Sequence, residues 1–474
     1  MAKRNRTKAK KGPPPLAVEE VRSSHYLAVI WKYLTDALCN EVFASTRRPG
    51  RAGERQRKWT LHAMVWFWLA LLLSRYESQT RALNEAREGK APLFPHVDAT
   101  PEAFFQHVQD VRPAFFQNVF RSFNYQLKAE ATACYERELP INKEAFPEAF
   151  VADGSRLAKV ARMLKVARKT TKAIIPGSME AIYDLRRGIL HELHFDPDGC
   201  VSEMTMFEAS IESVPAGAII LGDRFYAKPY VWEKLQERSI FMLTRYNRTV
   251  KKQRVAVISR VRTSALSVDD WLVDMGGSQR GTKPIRLRWV RIWGPGFDYK
   301  LLTSVLDANL LTPKQMLTAY RHRWTVERMF LAMKEILNLN HLYNCSPAAV
   351  GQQVYATAIL YNSLRVSQGQ IANAARIAPE LLSPDKLFPV LIEHYLQGLL
   401  AAAHDDHRSG RKLRRPPNLS QSDLDIDIPW LRIRIKEHLV EKRVERRRQR
   451  RFCKGRTQHT SYRLIPGAKR LVAS

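Results

Sequence analysis

The spacing of apolar residues changes period several times along the chain, and each change predicts a different kind of element. From about residue 24 to 139 the period is helical, with Tyr26, Val29, Ile30, Tyr33 and Leu34 on one face at intervals of three and four. A basic break, Arg47-Arg48-Pro49-Gly50-Arg51, precedes the most apolar run, L-H-A-M-V-W-F-W-L-A-L-L-L over 61–73. That run is shorter than the roughly 20 residues a membrane span requires, so it reads as a buried helix. From residue 148 the texture turns to short apolar runs bounded by turn residues, the pattern of strands. Phe150-Val151-Ala152 runs into Asp153-Gly154-Ser155, and 218–222 runs into Asp223. Between them, 190–195 and 201–207 flank Asp196-Pro197-Asp198-Gly199, which predicts a hairpin. A helix over 230–237 and a strand over 240–246 follow.

Between 247 and 308 short alternating segments such as Ile285-Arg286-Leu287-Arg288-Trp289, broken by Gly276-Gly277 and Gly294-Pro295-Gly296, predict a β-rich insertion with an arginine-bearing face. Asp269, Asp270 and Asp274 lie in it without strand-end context and read as surface acids. Helical spacing returns from about 309 to 400. A polar arginine-rich linker over 404–422 then leads to a last helix from Pro429, with Leu431, Ile435 and Leu439 on one stripe, dissolving into the arginine-rich run 443–451. Strands and helices mixed in this order predict an α/β fold. The expected divisions are a disordered basic arm (1–23), a helical DNA-binding region (24–145), a first core segment (146–246), the insertion (247–308), a second core segment with following helices (309–400) and a basic C-terminal region (401–474).

The helix after the insertion carries an unusual set of charges. Thr312-Pro313-Lys314-Gln315 reads as its start: Thr as N-cap, Pro at the first helical position, Gln as capping-box partner. At about 100° per residue, with Tyr320 at zero, Arg323 falls near about −60°, Glu327 about −20° and Lys334 about −40°. They share one stripe roughly 20 Å long: a carboxylate flanked by two cations and a phenol. Arg323 and Glu327 are also an i,i+4 pair of the sort that decorates solvated helices for a few tenths of a kcal/mol. The charge of the whole chain and the two upstream aspartates argue for more.

Lys and Arg total 77 against 46 acidic residues in 474, a net charge of +31, and the pI is near 10.1. Such a chain calls for a polyanionic partner, nucleic acid first, with a basic protein of ribosomal or membrane surfaces as the alternative. Cys39, Cys134, Cys200, Cys345 and Cys453 are isolated, so neither a zinc site nor a disulfide framework is expected. The basic N-terminus lacks an apolar stretch, which predicts no secretory signal and a cytoplasmic protein beside its DNA.

Asp153 and Asp223 each follow an apolar strand. If those strands are neighbours, the carboxylates converge, as two-metal phosphodiester chemistry requires of ions about 3.5–4 Å apart. Glu327 is the candidate third acid.

Tyr320-(2)-Arg323-(3)-Glu327-(6)-Lys334 resembles the Y-R-E-K signature of bacterial insertion-sequence transposases of family four, the DDE type with a ribonuclease-H-like core. Y-R-H-R-W-T-V-E is similar to that family's Y-x-H-R-W-x-I-E, and Asp153-Gly154-Ser155 and Gly222-Asp223-Arg224 are similar to its first and second acid motifs. The resemblance covers roughly residues 145–345. It implies a ribonuclease-H-like mixed sheet with a β-rich insertion. It also implies a cut-and-paste transposase that acts as a homodimer on terminal inverted repeats, by way of a hairpin, and joins the 3′-hydroxyl to target DNA. Asp153, Asp223 and Glu327 would hold two Mg²⁺ ions, with Mn²⁺ as a substitute. Tyr320, Arg323, Lys334, Arg224, Tyr299, His322 and Trp324 would contact DNA. Tyr299 stands where the family has an aromatic, typically Trp, that stacks on a flipped base; Trp289 and Trp293 are the alternatives, with core packing as their other role. His322 reads as a DNA or structural contact rather than a base, and Trp324 as either a stacking or a packing residue. The other functions weighed are a non-enzymatic DNA-binding protein and a structure-specific nuclease on the same fold.

Overall fold

The two apolar runs that end in aspartate become adjacent parallel strands. In the computed structural model, which describes residues 28–46, 58–157, 177–263, 266–276 and 284–396 apart from a few single positions, strand β1 is Ala149–Arg156 and is joined by β2 (Ser178–Asp184) and β3 (Ile189–Asp196). Strand β4 (Ile219–Gly222) and strand β5 (Phe241–Arg245) complete the core set. The insertion supplies β6 (Lys252–Arg262), β7 (Ser267–Met275), β8 (Ile285–Gly294) and β9 (Phe297–Thr303). All belong to one nine-stranded sheet, ordered β3-β2-β1-β4-β5-β9-β8-β7-β6. The first three are antiparallel to one another, β1/β4 and β4/β5 are parallel, and β9 rejoins β5 antiparallel. This is the mixed α/β sheet expected, with the insertion β-rich as expected. The insertion extends that sheet through the β5/β9 pairing.

Among the described residues six helices precede the sheet: α1 (Ala28–Tyr33), α2 (Asp36–Thr46), α3 (Leu61–Ser74), α4 (Gln79–Arg87), α5 (Pro101–Asp110) and α6 (Pro113–Tyr135). The apolar run 61–73 is α3, buried almost all round. Among the described residues no helix is long and apolar enough to cross a membrane. Helix α7 (Glu203–Ser210) follows β3, α8 (Pro229–Glu237) follows β4, and α9 (Pro313–Tyr320), α10 (Trp324–Leu331) and α11 (Pro347–Ala374) follow the insertion. Apart from its first two residues and Gln370, Asn373 and Ala374 near its C-terminal end, α11 is buried along its length, the signature of a central helix. Its Gln352 accepts from the Trp68 indole at 2.9 Å and donates to the carbonyls of Val108 and Val111, so its buried amide is satisfied across three helices. One apolar cluster joins these helices to the Val151, Leu221 and Leu243 face of the sheet. A second, around Phe207, Tyr226 and Trp232, covers the opposite face with Phe150, Ile220 and Met242.

Two readings of the sequence are corrected. The hairpin is β2–β3, which turns at Leu185–Gly188; Gly188 has φ +67°, and a β-carbon there would strike the Tyr135 ring. Asp196-Pro197-Asp198-Gly199 instead leads out of the hairpin, the backbone amides of Asp198 and Cys200 donating to the Asp196 and Asp198 carboxylates, and 203–210 is helix, not strand. Its apolar residues Met204, Phe207 and Ile211 recur at helical spacing and bury together. The second correction concerns Asp270, which is not a surface acid. It is 0% exposed and forms a two-pronged ion pair with the equally buried Arg288, at 2.8 and 2.6 Å. Asp269 and Asp274 are partly buried and pair with Arg262 and Arg286.

The expected basic arm 1–23, the break 47–51, the C-terminal region 401–474 with its helix from Pro429, Cys345 and Cys453 lie outside the described residues.

Candidate active site

Parallel register sets the two aspartates side by side. Val151 pairs with Leu221, so Asp153 and Asp223 each lie two residues beyond that pair on strands roughly 4.8 Å apart. Two residues is one full pleat, and both side chains therefore leave the same face. Asp223 caps a short turn at 224–226, its carboxylate accepting from the Phe225 amide.

The helical stretch after the insertion approaches these strand ends. Its start is as expected: Thr312 caps, Pro313 opens the helix and Gln315 returns the capping-box bond. It is not one uniform helix, however. A tight turn at Arg321–Arg323 separates α9 from α10, and a π-helical turn at Ala332–Ile336 carries Lys334. The guanidinium of Arg323 stands between two acids, 2.6 Å from Glu327 and 3.4 Å from Asp153. Lys334 donates to the Ser155 hydroxyl and the Arg156 carbonyl, each at 2.7 Å, tying its turn to the end of β1.

The remaining predicted contacts are distributed around this point. Tyr320 is buried, 5% exposed, beside Arg323. His322 is half-buried, and burial with the nearby Arg137 charge lowers its pKa to about 4, which keeps the ring neutral at neutral pH. Trp324 is 58% exposed with Arg323 against its ring, so it does not pack into the core. Arg224 is exposed beside Asp223. Tyr299 is half-buried on β9 under the Arg245 guanidinium. Trp289 is buried beneath Lys252, and Trp293 lies between Arg262 and Arg291.

Two acids that sequence reasoning did not single out sit behind the aspartates. Glu180 on β2 is paired in register with Gly154 and is 0% exposed. Glu203 is the first residue of α7. The Tyr226 hydroxyl lies 2.9 Å from Glu180 Oε1 and 2.8 Å from Glu203 Oε1. A β-carbon on Gly154 would come within 2.7 Å of the Glu203 side chain and 3.0 Å of Glu180 Oε2, which explains the glycine after Asp153. Glu203 had a helix-start signal, Ser202 followed by apolar residues at helical spacing, that the strand reading obscured.

So many carboxylates interact strongly. Burial pushes Asp153 up to about 7; Arg323 opposes this, and Glu327, Glu203 and Asp223 add to it. Burial and Glu203 hold Glu180 well above the carboxylate range, and Glu203 is raised mainly by burial. Because the folded value of Asp153 exceeds its unfolded value, its contribution to stability is full below about pH 4 and is lost as pH rises through about 7. In EDTA, Asp153→Asn is therefore expected to remove a pH-dependent loss of at most about 4 kcal/mol across that window. Melting temperatures of both proteins between pH 4 and 8 check it; a gap that does not change with pH overturns it.

The donor set suits a hard divalent cation, since every candidate ligand is a carboxylate oxygen. Arg323 supplies the positive charge between Asp153 and Glu327 in this state. Among the described residues no group of three or more potential ligands is drawn together tightly enough to enclose an ion.

Residues 163–363 match the family model described as the transposase DDE domain. That segment is similar to transposase DDE domains. The match includes Asp223 and Glu327 and begins after Asp153. Domains of this kind use divalent metal ions. A probable transposase for insertion sequence element IS5377 from Geobacillus stearothermophilus is 26% identical over 170 residues, 35% of this chain and 44% of that protein. A provisionally named transposase, y4zB, from Sinorhizobium fredii is 23% identical over 195 residues, 38% of this chain and 54% of that one. The chain thus spans about half the length of these curated relatives. A solved piggyBac transposase synaptic complex with hairpin DNA aligns over 84% of this chain and 85% of its own, at 11% identity and a TM-score of 0.35.

Proposed function

We propose that the protein is a DNA transposase that cleaves at the terminal inverted repeats of its element and joins the freed 3′-hydroxyl to target DNA. The observation that carries this reading is the meeting of Asp153 and Asp223 on adjacent parallel strands, with Glu327 linked to Asp153 through Arg323. In this reading the three acids bind Mg²⁺, two ions with Mn²⁺ as a substitute, and Arg323 swings from the carboxylates to the scissile phosphate. Bound divalent ions supply activation of the attacking hydroxyl and charge neutralisation at the leaving oxygen. Lys334 ties its turn to the end of β1 and Tyr320 lies buried beside Arg323, Arg224 and Trp324 offer an exposed cation and ring to the DNA, and Tyr299 stacks on a displaced base. The net charge of +31 provides sequence-independent affinity for the phosphate backbone. A homodimer and a hairpin intermediate belong to the same proposal.

The test incubates the full-length protein and Mg²⁺ with DNA carrying the inverted repeats that flank its coding sequence, alongside a target plasmid. Cleavage and joining, both abolished by EDTA, are expected. Cleavage without joining would replace this reading with a structure-specific nuclease, and binding without metal-dependent cleavage would leave a DNA-binding protein.

A further inference from the structure

The local charge balance around β1 is opposite to that of the chain. In a protein of net charge +31, Asp153, Glu180, Glu203, Asp223 and Glu327 gather at one end of the sheet, with Arg323 as the cation bridging two of them. Asp153, Asp223 and Glu327 are accounted for above, whereas Glu180 and Glu203 have no role in that account. Their placement is specific. The Glu203 side chain lies against the backbone of Gly154, immediately after Asp153, in a space that a single added methyl would close. It acts electrostatically on Asp153 and is acted on by Asp223. On its far side it is held by the Tyr226 hydroxyl, three residues after Asp223 on the same turn. Tyr226 in turn touches Glu180, fully buried, whose second oxygen has no hydrogen-bond partner and faces the same point at Gly154.

An unpartnered, fully buried carboxylate oxygen is costly, and native proteins keep such groups where something binds. Tyr226 has one hydroxyl hydrogen for two carboxylates, so it can anchor one of them by donation while the other remains available. We propose that Glu203 is a further carboxylate of the divalent-metal site, and that Tyr226 and Glu180 are positioning residues that hold it beside Asp153. The inference rests on the metal-dependent transposase reading above. The geometry explains why Asp153 is followed by a residue without a side chain and why a tyrosine follows Asp223 at the third position: both keep Glu203 in place. It also extends the acid set from strand ends and α10 to the first turn of α7.

Mn²⁺ affinity of the full-length protein, measured by titration calorimetry and by the rise in melting temperature on adding Mn²⁺, tests this directly. Glu203→Gln and Tyr226→Phe are compared with Asp153→Asn. Glu203→Gln is expected to weaken Mn²⁺ binding by about 10-fold or more and Tyr226→Phe by about 10-fold, in the range seen when supporting groups of metal sites are removed. If Asp153→Asn weakens binding while Glu203→Gln stays within about twofold of the unaltered protein, this proposal fails and the three-acid site stands. If Asp153→Asn also leaves binding unchanged, the metal-site reading itself fails. Should Glu203→Gln not fold, as judged by its melting curve in EDTA, Tyr226→Phe decides: folded with unaltered Mn²⁺ affinity, it overturns the proposal.

Discussion

Alanine in place of Asp153, Asp223 or Glu327 is expected to slow Mg²⁺-dependent DNA cleavage by about 1000-fold or more, each singly, because each removes a group that only the metal-bound transition state requires. That loss corresponds to about 4 kcal/mol. DNA binding should be retained within a few fold, because affinity comes from the positive surface and the removed group is itself anionic. The register makes the prediction specific: Asp153 and Asp223 lie at equal distance past the Val151–Leu221 pair, and Glu327 reaches the same place through Arg323. Single-turnover cleavage with a parallel gel-shift titration measures both quantities. A variant that cuts at the unaltered rate removes its residue from the acid set.

Arg288→Ala is expected to destabilise the fold by about 3–5 kcal/mol, as breaking a buried ion pair does when it leaves the other charge without compensation. Arg288 and Asp270 are 0% and 1% exposed at the side chain, and Arg288 also donates to the Leu311 carbonyl at 2.7 Å, just before the cap of α9. The pair thus links β7 and β8 of the insertion to the start of the helical stretch that carries Glu327. Asp270→Ala should cost a similar amount, and a double change to apolar residues of similar volume should cost less than the sum of the two. Urea unfolding of the variants checks this; a loss below about 1 kcal/mol for Arg288→Ala would mean that the exposed surface can absorb the stranded charge.

How far the site could be read from the chain differs residue by residue. Asp153 and Asp223 were visible because an apolar strand that stops at an acid is a local pattern, and Thr312-Pro313-Lys314-Gln315 was visible because capping acts within one turn. Glu180 was hidden because Ser178–Asp184 carries two acids and a serine among its apolar residues, which masks the period that would identify a strand. Glu203 was hidden because Asp196-Pro197-Asp198-Gly199 imitates a hairpin turn when it is in fact the lead into α7. Asp270 looked like an exposed acid, since nothing near it in the chain signals a partner eighteen positions away on the next strand.

By itself, then, the chain determined the alternation of strands and helices, the strong positive charge, the insertion between the second aspartate and Glu327, and the helix start that aims Glu327. These rest on interactions that span a few residues or on the sum of all charges. Only the folded arrangement decided that β1 and β4 pair in parallel, that Arg323 sits between Asp153 and Glu327, and that Glu203 closes against Gly154 under the Tyr226 hydroxyl. Those outcomes depend on strand register and packing between segments far apart in the chain, where the burial of many apolar side chains outweighs any local preference.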